Sequence, residues 1–519
     1  MTEAPPPAAG TDARPEHPPT ATDVVVVGGG VAGLVVARRL ARLGNNVVLL
    51  EERAELGGFV GTHDVAGVEL DSGAESFATR KGTVAALVGE LGLGDDIVVP
   101  DRKGAWVAWS GGAAPLPAAG VLGIPGVPLA DDVRRVIGWR GSLRAYLDRL
   151  MPLLRVRTET DLGDIVRRRM GRLVLERLVT PVVAGVHSAD PSVVDVHTVA
   201  PGLTQAMTVQ GSLSGAVMAL REQAPAGSQV QGIVGGMYRL IEALEADCRF
   251  FGVEIRRGAR VSGLDRRDDP AHRWCVRVEG EGGEQAFSAR AVVVATGFRP
   301  GLGLLDEAGA GRASLGATAA LPGIGDWPAP ASVTLATLVV DEPALDVAPR
   351  GTGVLVAEGT PGVGAKALTH STAKWRWLAD ALPAHRHVLR LSYGRRGAPT
   401  DARAVGATDA RTGIAPDASA GTAPEQSAVL SDASTLLGVR LDPAVVRGFS
   451  VVRWDDSLAF ATVGHKARVR QTLAAVKEVP GLDVVGAWVS GTGLAATVQH
   501  ANETASALAA ELRGDRRLD

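Results

Sequence analysis

Two cysteines in 519 residues, Cys248 and Cys275, are too few for a disulfide framework, and without a CxxC pair they make no thiolate metal site. Tyrosine is nearly as scarce, with only Tyr146, Tyr238 and Tyr393. A net charge of −3 leaves no basic excess for a nucleic-acid partner. The histidines are scattered, and the nearest pair, His385-x-His387, reads as a surface loop; no metal site is expected. No signal peptide is expected. Residues 1–20 are rich in Pro, Ala and Glu and read as a disordered tail. The one long uncharged run, 113–130, carries Pro115, Pro117, Pro125 and Pro128, which a spanning helix would hardly tolerate. It reads as a loop. No transmembrane segment is expected, and the composition suits a cytoplasmic globular protein, with peripheral membrane contact left open.

What the chain does have is concentrated in residues 24–51, VVVVGGGVAGLVVARRLARLGNNVVLLE. Four valines in a row suit a parallel strand covered on both faces. Gly28-x-Gly30-x-x-Gly33 then turns the strand into a helix. The first glycine permits the tight turn, the second lets a pyrophosphate approach the backbone, and the third lets helix and strand pack closely. Amides at the helix start point at the anion, and the helix dipole favours its charge. A second strand, 46–50, delivers Glu51 at the position of a carboxylate that binds a ribose hydroxyl. Strand, turn, helix, strand and acid in this order predict a dinucleotide site and an α/β fold.

Beyond this unit the pattern predicts an amphipathic run at 83–93 and helices from about 131 to 182 with arginine-rich polar faces. A helix is expected at 237–250, with strands at 253–256, 274–278 and 291–295, the last ending in Ala295-Thr296-Gly297. A β-rich region spans about 332–391. Residues 398–426, low in bulky apolar side chains, read as a flexible insertion. After a short strand at 483–485 comes Gly491-x-Gly493-x-x-Ala496. It reads as a helix start returning to the first cofactor, because no second βαβ unit and no distal acid follow.

These segments, with Leu56-Gly57-Gly58 and the C-terminal GTGL, resemble the FAD-dependent amine-oxidase-like superfamily. Within it the chain is similar to the protoporphyrinogen/coproporphyrinogen oxidase family over most of residues 22–512. The likeness is carried by DSGAESFATRK (71–81), LPAAGVLGIPGVP (116–128), ERLVTPVVAGVHSAD (176–190), THSTAKW (369–375), RLSYGR (390–395) and TVGH (462–465). The sequence departs from the family ahead of TVGH, where Ala459-Phe460-Ala461 replaces the usual Pro-Gln-Tyr. It departs again at Ala184–Ala189, and at Phe59, where many relatives carry a base.

The resemblance implies a discontinuous Rossmann-type FAD-binding domain (21–84, 228–300 and 451–512), a helical domain (85–227) and a mixed-sheet substrate-binding domain (301–450). It implies non-covalent FAD held by Gly28, Gly30, Val31, Ala32, Gly33, Glu51, Glu52, Gly57, Gly58, Val261, Ala295, Thr296, Gly493 and Leu494. It also implies oxidation of a porphyrinogen to a porphyrin in heme biosynthesis, with oxygen as acceptor. The cofactor carries the chemistry, so no catalytic side chain is expected. Arg80 and Lys81, then Lys374 and His465, are the candidate partners of the substrate's propionates. Coproporphyrinogen III is the first choice of substrate, since soluble relatives from high-GC genomes tend towards it, and protoporphyrinogen IX is the alternative. Other readings stay open: an oxidase of an amine or polyene, a low-activity flavin-binding scaffold, or a plain NAD-binding module. Scarce tyrosine disfavours an amine, and the C-terminal return segment disfavours the NAD module.

Overall fold

The computed structural model describes residues 19–152, 161–187, 189–223, 230–280, 283–312, 319–328, 331–394, 423–457, 462–491 and 493–515. Its central sheet grows from the valine run. Strand Thr20–Val27 lies between Val47–Glu51 and Gly283–Val294, parallel to both, so Val24 faces Val47 on one side and Ala291 on the other. Glu254–Arg257 extends the sheet in parallel beyond Val47–Glu51, and Leu482–Val484 pairs in parallel with Gly283–Val294. An antiparallel flank, Trp274–Gly280 and Arg260–Arg266, completes seven strands.

Both faces of this sheet are covered, which is why its strands read as continuous apolar runs. Val24 and Val26 pack with Leu34 and Leu40 of helix Val31–Arg42, Leu240 and Leu244 of helix Tyr238–Phe250, and Val498, Ala501 and Ala505 of the C-terminal helix Leu494–Asp515. Val25 and Val27 face the other way, into a core with Trp274, Phe287, Phe298 and Trp488.

A second seven-stranded sheet runs in the order Val446–Ser457, Ala331–Asp341, Arg386–Tyr393, Ala367–His370, Gly353–Val356, Ala105–Trp109, Gly112–Pro115. Every pairing is antiparallel except that of Gly353–Val356 with Ala105–Trp109. Helix Gln426–Leu437 covers one of its faces through Val429, Leu430 and Leu436. A third core is built almost wholly from helices between residues 131 and 223.

The structure corrects several sequence boundaries. Residues 105–115, expected among the helices, form a hairpin of the second sheet, because Trp106 and Val107 continue its pairing. The boundary at 450/451 cuts strand Val446–Ser457, whose partners lie in the second sheet. The run 113–130, expected as a loop, holds short strands Gly120–Val121 and Ile124–Pro125. Thr20 already belongs to the first strand, and Gln426 opens a helix, while residues 1–18 of the expected tail and 398–422 of the expected insertion lie outside the described residues. His387 is a buried strand residue instead of part of a surface loop; its ring shares Asp346 with His385. Among the described residues no helix is long and apolar enough to cross a membrane.

The helical core closes around one buried charge. The Asp148 carboxylate accepts from Arg169 Nε at 2.5 Å, from the amides of Leu213 and Ser214 at 3.1 and 2.8 Å, and from Ser214 Oγ at 3.1 Å. Arg169 Nη2 donates back to the Asp148 carbonyl at 2.8 Å. Removing one partner of such a pair strands the other in a dry site. Asp148→Ala is expected to lower the unfolding free energy by about 3–5 kcal/mol, read from urea denaturation. A loss below roughly 1 kcal/mol would mean that water reaches the pair.

Candidate functional site

The site is built where the carboxyl ends of three parallel strands meet the start of helix Val31–Arg42. Gly28 sits at φ +108°, and its amide donates to the Leu50 carbonyl at 2.7 Å. A Cβ on Gly28 would lie 2.7 Å from the Ala295 oxygen, and one on Gly33 would lie 1.9 Å from the Gly28 oxygen. These two glycines are therefore demanded by packing. Gly30 is different. It has ordinary extended dihedrals (φ −71°, ψ 177°), and a Cβ there would meet no protein atom within 4 Å. The protein leaves open space in front of Gly30, which is a cradle, not a packing contact.

Helix Val31–Arg42 opens on that space without a side-chain cap and without an acid in its first turn. The amides of Val31, Ala32 and Gly33 lie where a helix has no carbonyl of its own to offer. Three donors and a positive dipole end face the gap, an arrangement that fits a phosphate group.

Glu51 stands at the end of the neighbouring strand. Its Oε2 accepts from the Gly29 amide at 2.6 Å and its Oε1 from the Arg53 amide at 2.9 Å. Each oxygen keeps a second lone pair for a hydroxyl donor. Glu52, in contrast, is exposed and lies 3.7 Å from Arg260 Nε. The loop after this strand returns to the fingerprint: the Gly57 amide donates to the Gly29 carbonyl at 2.9 Å. Gly57 is at φ +106°, and a Cβ on Gly58 would sit 3.4 Å from Gly30 Cα. Ala295, at the end of the third strand, donates to the Val27 carbonyl at 2.7 Å, and the Thr296 carbonyl accepts from Trp488 Nε1 at 3.3 Å.

Val261 lies half-buried at a register step between Val261 and Gly263, two residues past Ala259, whose amide donates to the Glu51 carbonyl at 2.8 Å. Gly493 (φ +97°) and Leu494 open the C-terminal helix, and Leu494 packs on the same core as Val31 and Ala32. Of the sequence-predicted cofactor residues, Gly28, Gly30, Val31, Ala32, Gly33, Glu51, Gly57, Gly58, Ala295 and Thr296 meet at the fingerprint, while Glu52 faces Arg260.

The expected substrate cations are placed less uniformly. Only the backbone of Arg80 is described. Lys81, at φ +61°, is exposed, and its Nζ reaches Gln499 Oε1 on the C-terminal helix at 3.3 Å. Lys374 is ion-paired with Glu75, and Arg390 approaches the same carboxylate at 3.5 Å while donating to the Gly73 carbonyl. Burial opposes charge on Glu75, but Lys374 and Arg390 outweigh it and hold its pKa below the ordinary value. The positive charge of Lys374 is already engaged.

His465 corrects an expectation. It is only 4% exposed, with its ring 5.5 Å from that of Trp327. Burial and then the Arg468 cation push its pKa down to about 4, so it is neutral at pH 7 and offers no cation to a propionate. Residues 459–461, ahead of TVGH, lie outside the described residues.

Two residues of this region were missed in the sequence. Arg390 joins the Glu75 pair, and its place in the RLSYGR segment was the available signal. Asp71 was the other: its carboxylate accepts from the Met237 and Tyr238 amides at 3.0 and 3.1 Å, tying the 71–81 segment to helix Tyr238–Phe250. Only tertiary pairing reveals that role. Burial raises the Asp71 pKa to about 7, against the two amides and Arg390 that lower it. Folding therefore takes up a proton between the ordinary value of 3.8 and about 7, and stability is lost as pH rises through that window. Asp71→Asn is expected to flatten part of that loss in urea titrations run from pH ~4 to ~8. Asp483, also raised to about 7 by burial, supplies a further part that remains in the variant. An unchanged slope would refute the assignment to Asp71.

Comparison with known proteins agrees with this geometry. Coproporphyrinogen III oxidase of Mycobacterium tuberculosis is 29% identical over 480 residues, covering 91% of this chain and 94% of the relative. Coproporphyrinogen III oxidase of Bacillus subtilis is 24% identical over 492 residues, with the same shares covered. A solved Exiguobacterium structure, described as a candidate protoporphyrinogen oxidase, superposes with a TM-score of 0.76 at 25% identity, covering 95% of this chain and 100% of that one. Residues 31–376, about two thirds of the length, match the family described as flavin containing amine oxidoreductase. With a helix start that fits a phosphate and a carboxylate beside it, the chain belongs to the flavin containing amine oxidoreductase family.

Proposed function

We propose that this protein is an FAD-dependent oxidase that converts coproporphyrinogen III into coproporphyrin III, with oxygen as acceptor. The observation that carries the reading is the match to coproporphyrinogen III oxidases along 91% of the chain, joined to an open cradle at Gly30 that suits the cofactor's phosphates. Protoporphyrinogen IX is the second reading, favoured by the likeness to the Exiguobacterium structure. A cytoplasmic location is part of the proposal.

In this reading the first sheet and its helices hold FAD. The amides of Val31, Ala32 and Gly33 receive the pyrophosphate, and Glu51 accepts from a ribose hydroxyl. Gly57, Gly58, Val261, Ala295, Thr296, Gly493 and Leu494 would complete the cofactor's surroundings. Glu52 is left out, because it faces Arg260. The second sheet and the helical core enclose the substrate. Bound FAD supplies the acceptor for three two-electron oxidations of the macrocycle.

The chain's own residues bind and orient. Arg80 and Lys81 follow the segment that Glu75 and Asp71 hold, in a turn packed beside the C-terminal helix. They are the proposed partners of substrate propionates, with Lys374 kept to the Glu75 pair. No side chain is assigned proton transfer.

Two experiments test the proposal. Gly30→Glu adds a carboxylate at a position where a Cβ meets no protein atom within 4 Å, so the variant should fold yet bind FAD weaker by roughly a hundredfold, about 3 kcal/mol. A folded, fully yellow variant would move the cofactor elsewhere. Porphyrin fluorescence after adding the purified protein to coproporphyrinogen III, and separately to protoporphyrinogen IX, in air should grow faster with the tetra-acid. The reverse order would exchange the two substrates, and no growth with either would remove the porphyrinogen reading altogether.

A further inference from the structure

Glu75 is flanked by two cations, Lys374 and Arg390, and the three side chains are only 18%, 17% and 10% exposed. A buried pair of opposite charges adds little net stability, and a second cation brings a further desolvation cost. Stability alone does not account for the pair of cations, so their placement matters.

Both come from the second sheet. Lys374 ends the short helix Ser371–Lys374, which follows strand Ala367–His370, and Arg390 lies opposite Thr369 in strand Arg386–Tyr393. Leu389 and Leu391 enter the core beneath helix Gln426–Leu437, so strand alternation sends Arg390 to the other face. There it donates to the Gly73 carbonyl as well as approaching Glu75. Lys374 is itself held in place: its Nζ lies 5.0 Å from the centre of the Trp375 ring, and its carbonyl accepts from the Asp101 amide at 2.9 Å.

The segment that these cations grip lies directly on the loop after the fingerprint. The Ala74 amide donates to the Phe59 carbonyl and the Ser72 amide to the Gly61 carbonyl, both at 2.9 Å. A Cβ on Gly73 would lie 1.9 Å from the Phe59 oxygen, so the two stretches meet backbone to backbone. Trp454, also from the second sheet, donates to the Ser72 carbonyl at 2.9 Å. Earlier in the same loop Gly57 bridges to Gly30, and Gly58 lies against the Gly30 Cα. Contacts thus run from the two cations to residues 73–75, from there to residues 59–61, and from that loop to the cradle.

We infer that Lys374 and Arg390 are positioning residues for the flavin cofactor, holding the Gly57–Gly58 loop against the Gly30 cradle from the second sheet. A binding site is as precise as the groups that brace it, and a loop free to move by about 1 Å binds less tightly. The second sheet then has a task beyond enclosing a substrate. This inference rests on FAD as the cofactor and not on which porphyrinogen is oxidised.

The test is FAD retention by the purified holoprotein, read from the flavin fluorescence released on serial dilution. Lys374→Met and Arg390→Met should each raise the FAD dissociation constant by about tenfold. Arg390→Lys keeps a cation beside Glu75 and should stay within about twofold of the wild type. Trp454→Phe keeps a ring on Phe59 but loses the bond to Ser72, and should weaken FAD binding by about fivefold even if a Met variant fails to fold. Asp432→Asn controls for stability alone. Its carboxylate accepts from the Gly364 and Ala365 amides and the Tyr393 hydroxyl on the helix-covered side of the same sheet. That variant should lose stability in urea and keep wild-type FAD affinity. Unchanged FAD affinity in the folded Lys374, Arg390 and Trp454 variants would overturn the inference, as would an equal loss in Asp432→Asn. Wild-type protein that held no FAD would remove the cofactor reading, and this inference with it.

Discussion

Everything at the candidate site depends on one close approach of backbone to backbone. The Gly28 turn has the Ala295 carbonyl on one side and Gly33 of the first helix on the other, and neither neighbour leaves room for a methyl group. That approach sets how far the helix start projects beyond the strand ends, and so where the amides of its first turn point. It also brings the Leu56-Gly57-Gly58 loop against Gly29 and Gly30. Move the helix outward by the width of one methyl and the donors, the carboxylate of Glu51 and the glycine loop would no longer converge.

A second constraint joins this site to the other sheet. Glu75, Lys374 and Arg390 form a compact ion cluster, and Trp454 adds a hydrogen bond from its indole to the Ser72 carbonyl at 2.9 Å. Phe59, just past the glycine loop, packs on the same tryptophan with ring centres 5.2 Å apart. The segment 71–81 is thus gripped from the fingerprint side and from the second sheet at once. Buried ion clusters of this kind add little net stability but fix geometry, because each charge is costly without its partners.

Much of this was legible in the sequence because local chemistry dictated it. The valine run, the glycine spacing and Glu51 each obey short-range rules, and the structure places them as those rules require. The helix at Tyr238–Phe250 and the strand ending at Val294 were equally readable, since their periodicities are clean. What could not be read was pairing between distant segments. Nothing in residues 105–109 announces a partner at Gly353–Val356, and strand Val446–Ser457 carries no mark of the sheet it joins. His465 shows the same limit for a site residue. A histidine beside a glycine looks like an available cation until the fold buries it against Trp327. Arg390 and Asp71 escaped for the converse reason, their roles arising only from neighbours distant in the sequence.

The order in which the strands are recruited carries a consequence for how the protein is made. The first sheet takes its strands from residues 20–51, 254–294 and 482–484, and the helix that starts beside the fingerprint packs against the last helix of the chain. Arg39 on the first helix even donates to Ser506 on the last, at 3.3 Å. While the chain is still being synthesised, the glycine turn has neither its outer strand nor its covering helix. The glycine turn therefore precedes in the chain the strand and the helix that complete its surroundings, and it is among the last parts of this fold to be completed. A product truncated before residue 482 would carry the whole fingerprint and lack the walls that make it a site.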